Sequence, residues 1–256
     1  MTIVLTMAGA GSRFRNAGYD SDKHRIEFRG HSLFEWSLVS LLSFRSEDLV
    51  IVTRRFDDVE PFVSGIAARL GFSPPRFVYA DRLTRGQAES ACLARQVVGG
   101  DEAVLVYNTD TFVHPSALKS ERVRGDGWIP CFNAPGDKWS FVDADDSGRA
   151  LRVTEKQRIS DHCSVGLYYF RRFDFLLEEV DRLGNGGGEW YIAPLYNRLI
   201  ADGKAVYLED LPAEAVCVLG TPEDLLVAAA REIRFPHAVG GASSIPLDPV
   251  LPGEDP

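Results

Sequence analysis

Short apolar runs alternate with helical patterns along the first 107 residues, and this alternation restricts the fold more than any other feature of the chain. The runs that predict strands cover residues 3–6, 49–53, 77–80 and 103–107. Apolar residues at three- and four-residue spacing predict helices over 32–42, 59–70 and 87–97. The last run is apolar throughout, as in a strand that is covered on both faces. The β-α-β-α-β-α-β order therefore predicts an α/β fold with a Rossmann-like, doubly wound sheet.

The second half of the chain has a different pattern. Residues 139–143 and 150–154 flank the turn sequence Asp-Asp-Ser-Gly, which predicts a β-hairpin, so the complete sheet is expected to be mixed. A further strand is predicted over 164–170, and helices over 173–183, over 191–201 and from Thr221 onwards. We expect one domain over 1–236. Residues 237–256, rich in Gly, Ser, Pro and acids, are expected to form a mobile tail.

Composition excludes several classes of protein. The net charge is −9, from 28 basic and 37 acidic residues, which argues against a nucleic-acid partner. The four cysteines are scattered without a Cys-x-x-Cys pair, so buried free thiols are expected rather than a zinc or redox site. The chain shows no leader pattern and no apolar run near the ~20 residues that span a membrane. These features predict a cytoplasmic protein that does not contact a membrane.

The first predicted strand runs directly into the loop sequence Met-Ala-Gly-Ala-Gly-Ser-Arg-Phe, residues 7–14. Gly9 and Gly11 have no side chains, so backbone N–H groups can approach an anion, and Arg13 adds a planar set of donors suited to phosphate. A plain β-to-α turn without a ligand is the alternative. The loop matches neither the dinucleotide fingerprint, because Phe14 replaces its third glycine, nor the Gly-Lys-Ser/Thr phosphate loop.

Asp110 follows the fourth strand, and ligands of open α/β sheets bind beyond the carboxyl ends of the strands. Its carboxylate could hold Mg²⁺, which takes one or two carboxylates together with substrate phosphates, or it could simply cap a turn. Lys23 could add a cation beside Arg13, or lie in a solvated loop. We interpret the neighbouring His24 as a surface or hydrogen-bonding histidine rather than a base.

Two further segments could bind small molecules. Gln87, after Gly86, both donates and accepts hydrogen bonds, as recognition of a nucleobase edge requires, although a plain helix start explains it equally well. Glu155 and Lys156 follow the predicted hairpin, where such a pair is usually a solvated strand edge.

Six short motifs follow one another along the chain. They are the loop at 7–14 with Lys23, Gly86-Gln87, Asn108-Thr-Asp110, Glu155-Lys156, the segment at 165–170, and the sequence Leu-Gly-Thr-Pro-Glu-Asp at 219–224. In this order they resemble the sugar-phosphate nucleotidyltransferase family, in the short form found in capsule and surface-polysaccharide pathways. The resemblance covers about residues 3–232. It implies a glycosyltransferase-A-like nucleotidyltransferase fold and a Mg²⁺-dependent reaction of an NTP with a small phosphorylated acceptor.

The resemblance also implies roles for individual residues. The catalytic residues would be Arg13, Lys23 and Asp110, and Asp110 would be the metal ligand. The nucleotide would be bound by Ala8, Gly9, Ala10, Gly11, Ser12, Arg13, Gly86 and Gln87. The acceptor would be bound by Asn108, Glu155, Lys156 and Gly166.

The chain departs from the family pattern at two places. The prolines that usually flank the lysine are absent around Lys23. The second metal carboxylate usually lies two residues before the Gly-Thr of the last motif, where this chain has Val218. This departure leaves three alternatives. Glu209, Asp210 or Glu214 could replace the missing carboxylate, Asp110 and the triphosphate could hold the metal without it, or turnover could be lost.

The sequence therefore predicts a nucleotidyltransferase that makes a nucleotide-activated sugar or a similar metabolite. A glycosyltransferase that consumes a nucleotide sugar is one alternative, although its diphosphate donor needs no triphosphate-binding loop. The second alternative is a catalytically silent nucleotide-binding protein, because Val218 stands where the family has its second metal carboxylate. The base, the acceptor and the oligomeric state stay open.

Overall fold

A computed structural model describes residues 1–55, 58–184, 187–233 and 235–236. Its strands are β1 (Thr2–Thr6), β2 (Glu27–Phe28), β3 (His31–Ser32), β4 (Asp48–Thr53), β5 (Arg76–Tyr79), β6 (Val104–Tyr107), β7 (Thr111–Val113), β8 (Gly127–Phe132), β9 (Ser140–Ala144), β10 (Ala150–Glu155), β11 (Cys163–Ser164), β12 (Leu167–Phe170), β13 (Val206–Asp210) and β14 (Val216–Val218). Its α-helices are α1 (Ser12–Asn16), α2 (Leu33–Ser40), α3 (Val59–Arg69), α4 (Gln87–Cys92), α5 (Phe173–Leu183), α6 (Tyr196–Ala201) and α7 (Pro222–Ala229).

The main sheet is mixed, with the strand order β10-β9-β11-β8-β12-β6-β1-β4-β5 and with β13 paired to β8. Strands β6, β1, β4 and β5 are parallel neighbours, and Leu5 of β1 lies opposite Tyr107 of β6. Strand β12 runs antiparallel to β6 and joins this parallel part to the strands of the second half. The predicted α/β class with a doubly wound mixed sheet is confirmed.

The inner parallel strands β1, β4 and β6 are buried on both faces, which explains their continuous apolar sequences. Ile3 and Leu5 of β1 pack into one core, which includes residues of α2 and α3. Val4 points to the opposite face and packs into a second core with residues of α4 and α5. Successive side chains of β1 point to opposite faces of the sheet, so this one strand contributes to both cores. Because β1 and β6 are parallel neighbours, the loops that follow them leave the same edge of the sheet.

Helix boundaries follow local capping. The Ser32 hydroxyl accepts a hydrogen bond from the Glu35 amide (3.1 Å) at the start of α2, and Thr221 does the same for the Asp224 amide (3.0 Å) at the start of α7. Pro222 occupies the first turn of α7, where a missing N–H costs nothing.

Several boundaries differ from the sequence prediction, three of them by the insertion of a turn or a 3₁₀ segment. The strand predicted over 164–170 is divided into β11 and β12, because Gly166 has a left-handed φ of 81°. The helix predicted over 191–201 begins later, with a 3₁₀ turn at Ala193–Leu195 before α6. Helix α4 ends at Cys92, and a 3₁₀ turn continues to Gln96.

Other parts of the fold were not predicted or are not tested. Six strands were not anticipated: β2, β3, β7, β8, β13 and β14. The predicted tail, 237–256, lies outside the described residues, so the domain boundary at 236 stays a prediction. All four cysteines are buried free thiols, as expected. Within the described part of the chain, no helix is long and apolar enough to cross a membrane.

Candidate active site

A cleft of about 640 Å³ opens at the carboxyl edge of the parallel strands and extends over the antiparallel half of the sheet. The loops after β1 and β6 and the start of α4 form one side, and residues of β9, β10 and the 187–192 segment form the other. It is lined by all the candidate residues that the sequence indicated: Ala8, Gly9, Ala10, Gly11, Ser12, Arg13, Lys23, Gly86, Gln87, Asn108, Asp110, Glu155, Lys156 and Gly166. Their grouping is therefore a property of the fold, whereas their individual roles stay predictions.

The loop after β1 places backbone and arginine groups along one wall of the cleft. Gly11 has a left-handed φ of 63°, and a Cβ there would lie 3.3 Å from the Lys23 Cβ, so glycine allows these two segments to approach. Phe14 is 1% exposed and anchors the short α1 in the core. Arg13, one residue before it, is exposed and lines the cleft. Its guanidinium is thus available to an anionic ligand.

Lys23 and Asp110 meet in the wall of the cleft. The Lys23 Nζ donates to the Asp110 Oδ2 at 2.5 Å, and the two side chains are 26% and 27% exposed. Asp110 lies between β6 and β7, and its carbonyl accepts a hydrogen bond from the Leu219 amide at 2.8 Å. The pair therefore sets a cation beside a carboxylate at the end of the parallel strands, where the sequence analysis expected Asp110.

His24 does not lie on the surface, so that part of its interpretation was wrong. It is 3% exposed, and burial lowers its pKa to about 4. The imidazole is therefore neutral near pH 7. It packs at a tilted angle against the Phe62 ring, with 5.8 Å between ring centroids.

The start of α4 is held against the 187–192 segment by backbone hydrogen bonds. The Trp190 amide donates to the Arg85 carbonyl (2.9 Å), and the Ala88 amide donates to the Trp190 carbonyl (3.1 Å). A Cβ on Gly86 would lie 2.5 Å from the Trp190 oxygen, so only glycine fits between these two segments. Gln87 lines the cleft next to it, and its Nε2 is buried without a hydrogen-bond partner among the described residues. A ligand edge with an acceptor would satisfy this donor.

Glu155 and Lys156 are held by side chains from distant parts of the sequence. The Ser140 Oγ donates to the Glu155 Oε2 at 2.5 Å, and burial raises the pKa of this half-buried carboxyl. The Lys156 Nζ donates to the Tyr191 hydroxyl at 2.5 Å, which raises the pKa of the ammonium, and lies 3.9 Å from Glu189. Lys156 also has a left-handed φ of 54°, an unusual conformation for a lysine. The pair is therefore organised within the cleft and is not a plain solvated strand edge.

Asn108 and Gly166 fit together at the junction of the two sides. A Cβ on Gly166 would lie 2.1 Å from the Asn108 Nδ2, so glycine is required for this approach. The Asn108 Oδ1 is buried and accepts no hydrogen bond from the described residues. An unsatisfied acceptor that lines a cleft is available to a ligand donor.

Several cleft residues were not anticipated by sequence reasoning: Lys138, Ser140, Glu189 and Tyr191. They lie in segments without a recognisable motif, and only the three-dimensional structure brings them together. The carboxylates suggested as replacements at Val218 lie elsewhere. Glu209 pairs with Arg122 (2.5 Å) and Asp210 with His162 (2.7 Å). Neither they nor Glu214 lines the cleft.

Comparisons with known proteins agree with this arrangement. Residues 3–136 match the model of the MobA-like NTP transferase domain. The chain is 32% identical to the nucleoside-diphosphate-sugar pyrophosphorylase from Vibrio cholerae RC9, with a TM-score of 0.80, and the match covers 89% of this chain and 98% of that one. It shares the fold of the inositol-1-phosphate CTP transferase from T. maritima, with 18% identity, a TM-score of 0.68 and coverage of 87% and 90%.

No curated protein sequence is significantly similar to the chain. The family model covers more than half of the residues, and the structural match to the Vibrio cholerae protein extends over most of both chains. Both findings confirm the family resemblance seen in the sequence motifs. The chain belongs to the sugar-phosphate nucleotidyltransferase family and carries its MobA-like NTP transferase domain.

Proposed function

We propose that this protein transfers a nucleoside monophosphate from an NTP to a sugar phosphate, or to a similar phosphate monoester, and releases pyrophosphate. We place the reaction in the cytoplasm, in the synthesis of precursors for a surface polysaccharide. One observation carries the proposal. The Lys23–Asp110 pair lies in a single cleft between the glycine loop on one side and Glu155 and Lys156 on the other. Two phosphorylated substrates could meet there.

The reaction needs no nucleophilic side chain. An oxygen of the acceptor phosphate forms a bond to the α-phosphorus of the NTP, and the bond from that phosphorus to the bridging oxygen breaks, so that pyrophosphate leaves. The protein supplies position and charge neutralisation. In this proposal Arg13 and the backbone of Gly9 and Gly11 bind the triphosphate. Lys23 lies beside the reacting phosphates.

The donor set of the cleft fits a magnesium ion that a protein carboxylate and substrate phosphates hold together. Among the residues that the structure describes, no group of three or more His, Cys, Asp or Glu side chains could hold a metal. Mg²⁺ usually takes one or two carboxylates together with substrate phosphates, and Asp110 provides such a carboxylate. When bound, the ion would neutralise charge that develops on the phosphates. The metal requirement is part of the proposal.

The other side of the cleft suits a phosphorylated polyol or sugar. Glu155 and Ser140 offer a carboxylate and a hydroxyl to sugar hydroxyls, and Lys156 offers an ammonium to the acceptor phosphate. Asn108 adds an unsatisfied acceptor at the junction. The name of the Vibrio cholerae relative, a nucleoside-diphosphate-sugar pyrophosphorylase, supports a sugar phosphate as acceptor.

The test combines the protein with Mg²⁺, each of the four common NTPs and a panel of sugar and polyol phosphates. We expect at least one combination to release pyrophosphate and form an NDP-linked product, and to do so only with both substrates present. Circular dichroism confirms that the protein is folded, and the Asp110→Ala variant controls for contaminating enzymes. A folded protein that releases no pyrophosphate with any combination would refute the proposal.

The two alternatives give different readouts in the same assay. A glycosyltransferase would release a nucleoside diphosphate from a nucleotide sugar and would produce no pyrophosphate. A silent binding protein would show calorimetric NTP binding without turnover. A thermal-shift screen with each NTP selects the nucleotide for these measurements, since a ligand at 100 times its Kd stabilises a protein by about 2.7 kcal/mol.

A further inference from the structure

The position at which the family pattern has its second metal carboxylate cannot bind a metal in this chain. Val218 is the last residue of β14, lies opposite Thr111 of β7, and lines the cleft with an alkyl side chain. The next residue, Leu219, is fixed to the Asp110 carbonyl by a hydrogen bond of 2.8 Å. Val218 is therefore correctly placed beside Asp110 but has no oxygen to offer.

A different carboxylate approaches Asp110 from the first turn of α7. A Cβ on Gly220 would lie 3.3 Å from the Asp110 Oδ2 and 3.6 Å from the Asp224 Oδ2. The two acids thus flank one small space, which exists because residue 220 has no side chain. Asp110 and Gly220 line the cleft, whereas Asp224 does not, so the space beside Gly220 is what connects Asp224 to the candidate active site. The Thr221 cap on the Asp224 amide fixes the helix turn that carries Asp224.

Both carboxylates are paired with lysines. Asp110 accepts from Lys23 at 2.5 Å, and Asp224 accepts from Lys138 at 2.6 Å. The Asp224 side chain is 12% exposed, whereas the Lys138 side chain is 57% exposed, so Lys138 reaches Asp224 from the solvent side. Two carboxylates that flank one space repel each other, and positive charge beside them, from these lysines or from a divalent cation, offsets that repulsion. Carboxylate oxygens are also the ligands that Mg²⁺ prefers.

We propose that Asp224 is the second carboxylate of the metal site and replaces the ligand that is missing at Val218. The inference rests on the proposed function, because the metal would be the one that accompanies the nucleotide. Asp224 would bind the ion jointly with Asp110, across the space beside Gly220. In the alternative, purely structural role, Asp224 only stabilises the start of α7 and the ion pair with Lys138.

The experiment measures Mn²⁺ binding, by the electron paramagnetic resonance signal of free Mn²⁺, in the protein without nucleotide. We expect Asp224→Asn to weaken Mn²⁺ binding ~10-fold or more, the scale on which loss of a metal-site group lowers affinity. Adding Val218→Asp to this variant should restore binding, because it returns a carboxylate to the family position. Gly220→Ala should also weaken binding, since its methyl group would enter the space between the acids.

Two controls separate metal binding from helix stability. Lys138→Met breaks the same ion pair by removing the lysine in place of the aspartate. If Asp224 has only a structural role, Lys138→Met should change Mn²⁺ binding as Asp224→Asn does. The proposal predicts instead that Lys138→Met leaves Mn²⁺ affinity unchanged or raises it. Asp174→Asn removes another aspartate from a helix first turn, where it pairs with Arg172 at 2.9 Å, and should leave Mn²⁺ binding unchanged.

The outcomes also separate this inference from the proposed function. Wild-type Mn²⁺ affinity in Asp224→Asn, or no Mn²⁺ binding by the wild-type protein, would overturn the assignment of Asp224 even if pyrophosphate is released. Loss of Mn²⁺ binding in Asp224→Asn and its recovery with Val218→Asp would support the assignment even if no substrate pair reacts.

Discussion

The two sides of the cleft are built in different ways. On the nucleotide side, which we define as residues 8–13, 23 and 86–87, the loops follow parallel strands and bring glycines and backbone groups to the surface of the cleft. On the acceptor side, which we define as residues 108, 140, 155–156, 166, 189 and 191, side chains from distant segments hold each other. The first side depends on the path of the backbone, and the second on tertiary contacts.

This difference has a functional consequence. The backbone part of a phosphate site is common to any NTP and tolerates change in neighbouring side chains, because its donors are N–H groups, whereas the contact that Arg13 adds can be removed by one substitution. A side-chain site is specific to the shape and charge of its ligand, because each contact can be lost by one substitution. We therefore expect substitutions to divide into those that affect one substrate and those that affect both.

Asp110 lies between the two sides, so its loss should have the largest effect. We expect Asp110→Ala to lower kcat/KM for both substrates ~10²-fold or more, the scale of lost charge stabilisation in a reacting complex. Steady-state kinetics with each substrate varied in turn would measure this. Asp146→Ala, in the exposed turn between β9 and β10, is the matched control and should retain full activity. An effect on only one substrate would contradict the central position of Asp110.

Arg13 belongs to the nucleotide side alone. We expect Arg13→Ala to lower kcat/KM for the NTP ~10²-fold, because the guanidinium is the exposed cation of the loop, while the KM for the acceptor changes little. Arg13→Lys should recover part of the loss, since it restores the charge but not the planar donors. If Arg13→Ala raised the KM for the acceptor as much as the KM for the NTP, Arg13 would contribute to binding of both substrates.

The same contrast explains what could be predicted from the sequence. The loop at 7–14 and Asp110 follow apolar strands, and the order of parallel strands places both at one edge, so local patterns were sufficient. Ser140 and Tyr191 contact Glu155 and Lys156 only through tertiary structure, and neither belongs to a motif. The burial of His24 was missed for a similar reason, because the aromatic ring beside it comes from α3.

Gly166 tests the acceptor side with a smaller effect. A Cβ there would lie 2.1 Å from the Asn108 Nδ2, and the φ of 81° is unfavourable for alanine. We expect Gly166→Ala to displace Asn108, to raise the acceptor KM ~10-fold and to lower stability by about 1–3 kcal/mol. Gly203→Ala, with a φ of 74° and open space at its Cβ, is the control, because it carries the backbone cost without the collision. If Gly166→Ala and Gly203→Ala had equal KM values for the acceptor, Asn108 would have no role in acceptor binding.

The smallest effect is a change in pH dependence at Glu155. Burial raises the pKa of this carboxyl, so kcat/KM for the acceptor should rise with pH through a value above the ordinary glutamate pKa of about 4.3. The Ser140 hydrogen bond stabilises the charged form, so Ser140→Ala should move this step to higher pH. Glu155→Gln should abolish the step and raise the acceptor KM.

The stability of the fold should respond to ionisation of Glu155 in the opposite direction to acceptor activity: it falls as pH rises, whereas activity increases. Because folding raises this pKa, the carboxyl contributes stability below its unfolded pKa, and that contribution is lost as pH rises through the folded value. At neutral pH the buried charge is therefore a cost, and Glu155→Gln should melt no lower than the wild type while it binds the acceptor less well. A lower Tm in Glu155→Gln at neutral pH would mean that the carboxylate stabilises the fold, and its burial would then need no functional explanation.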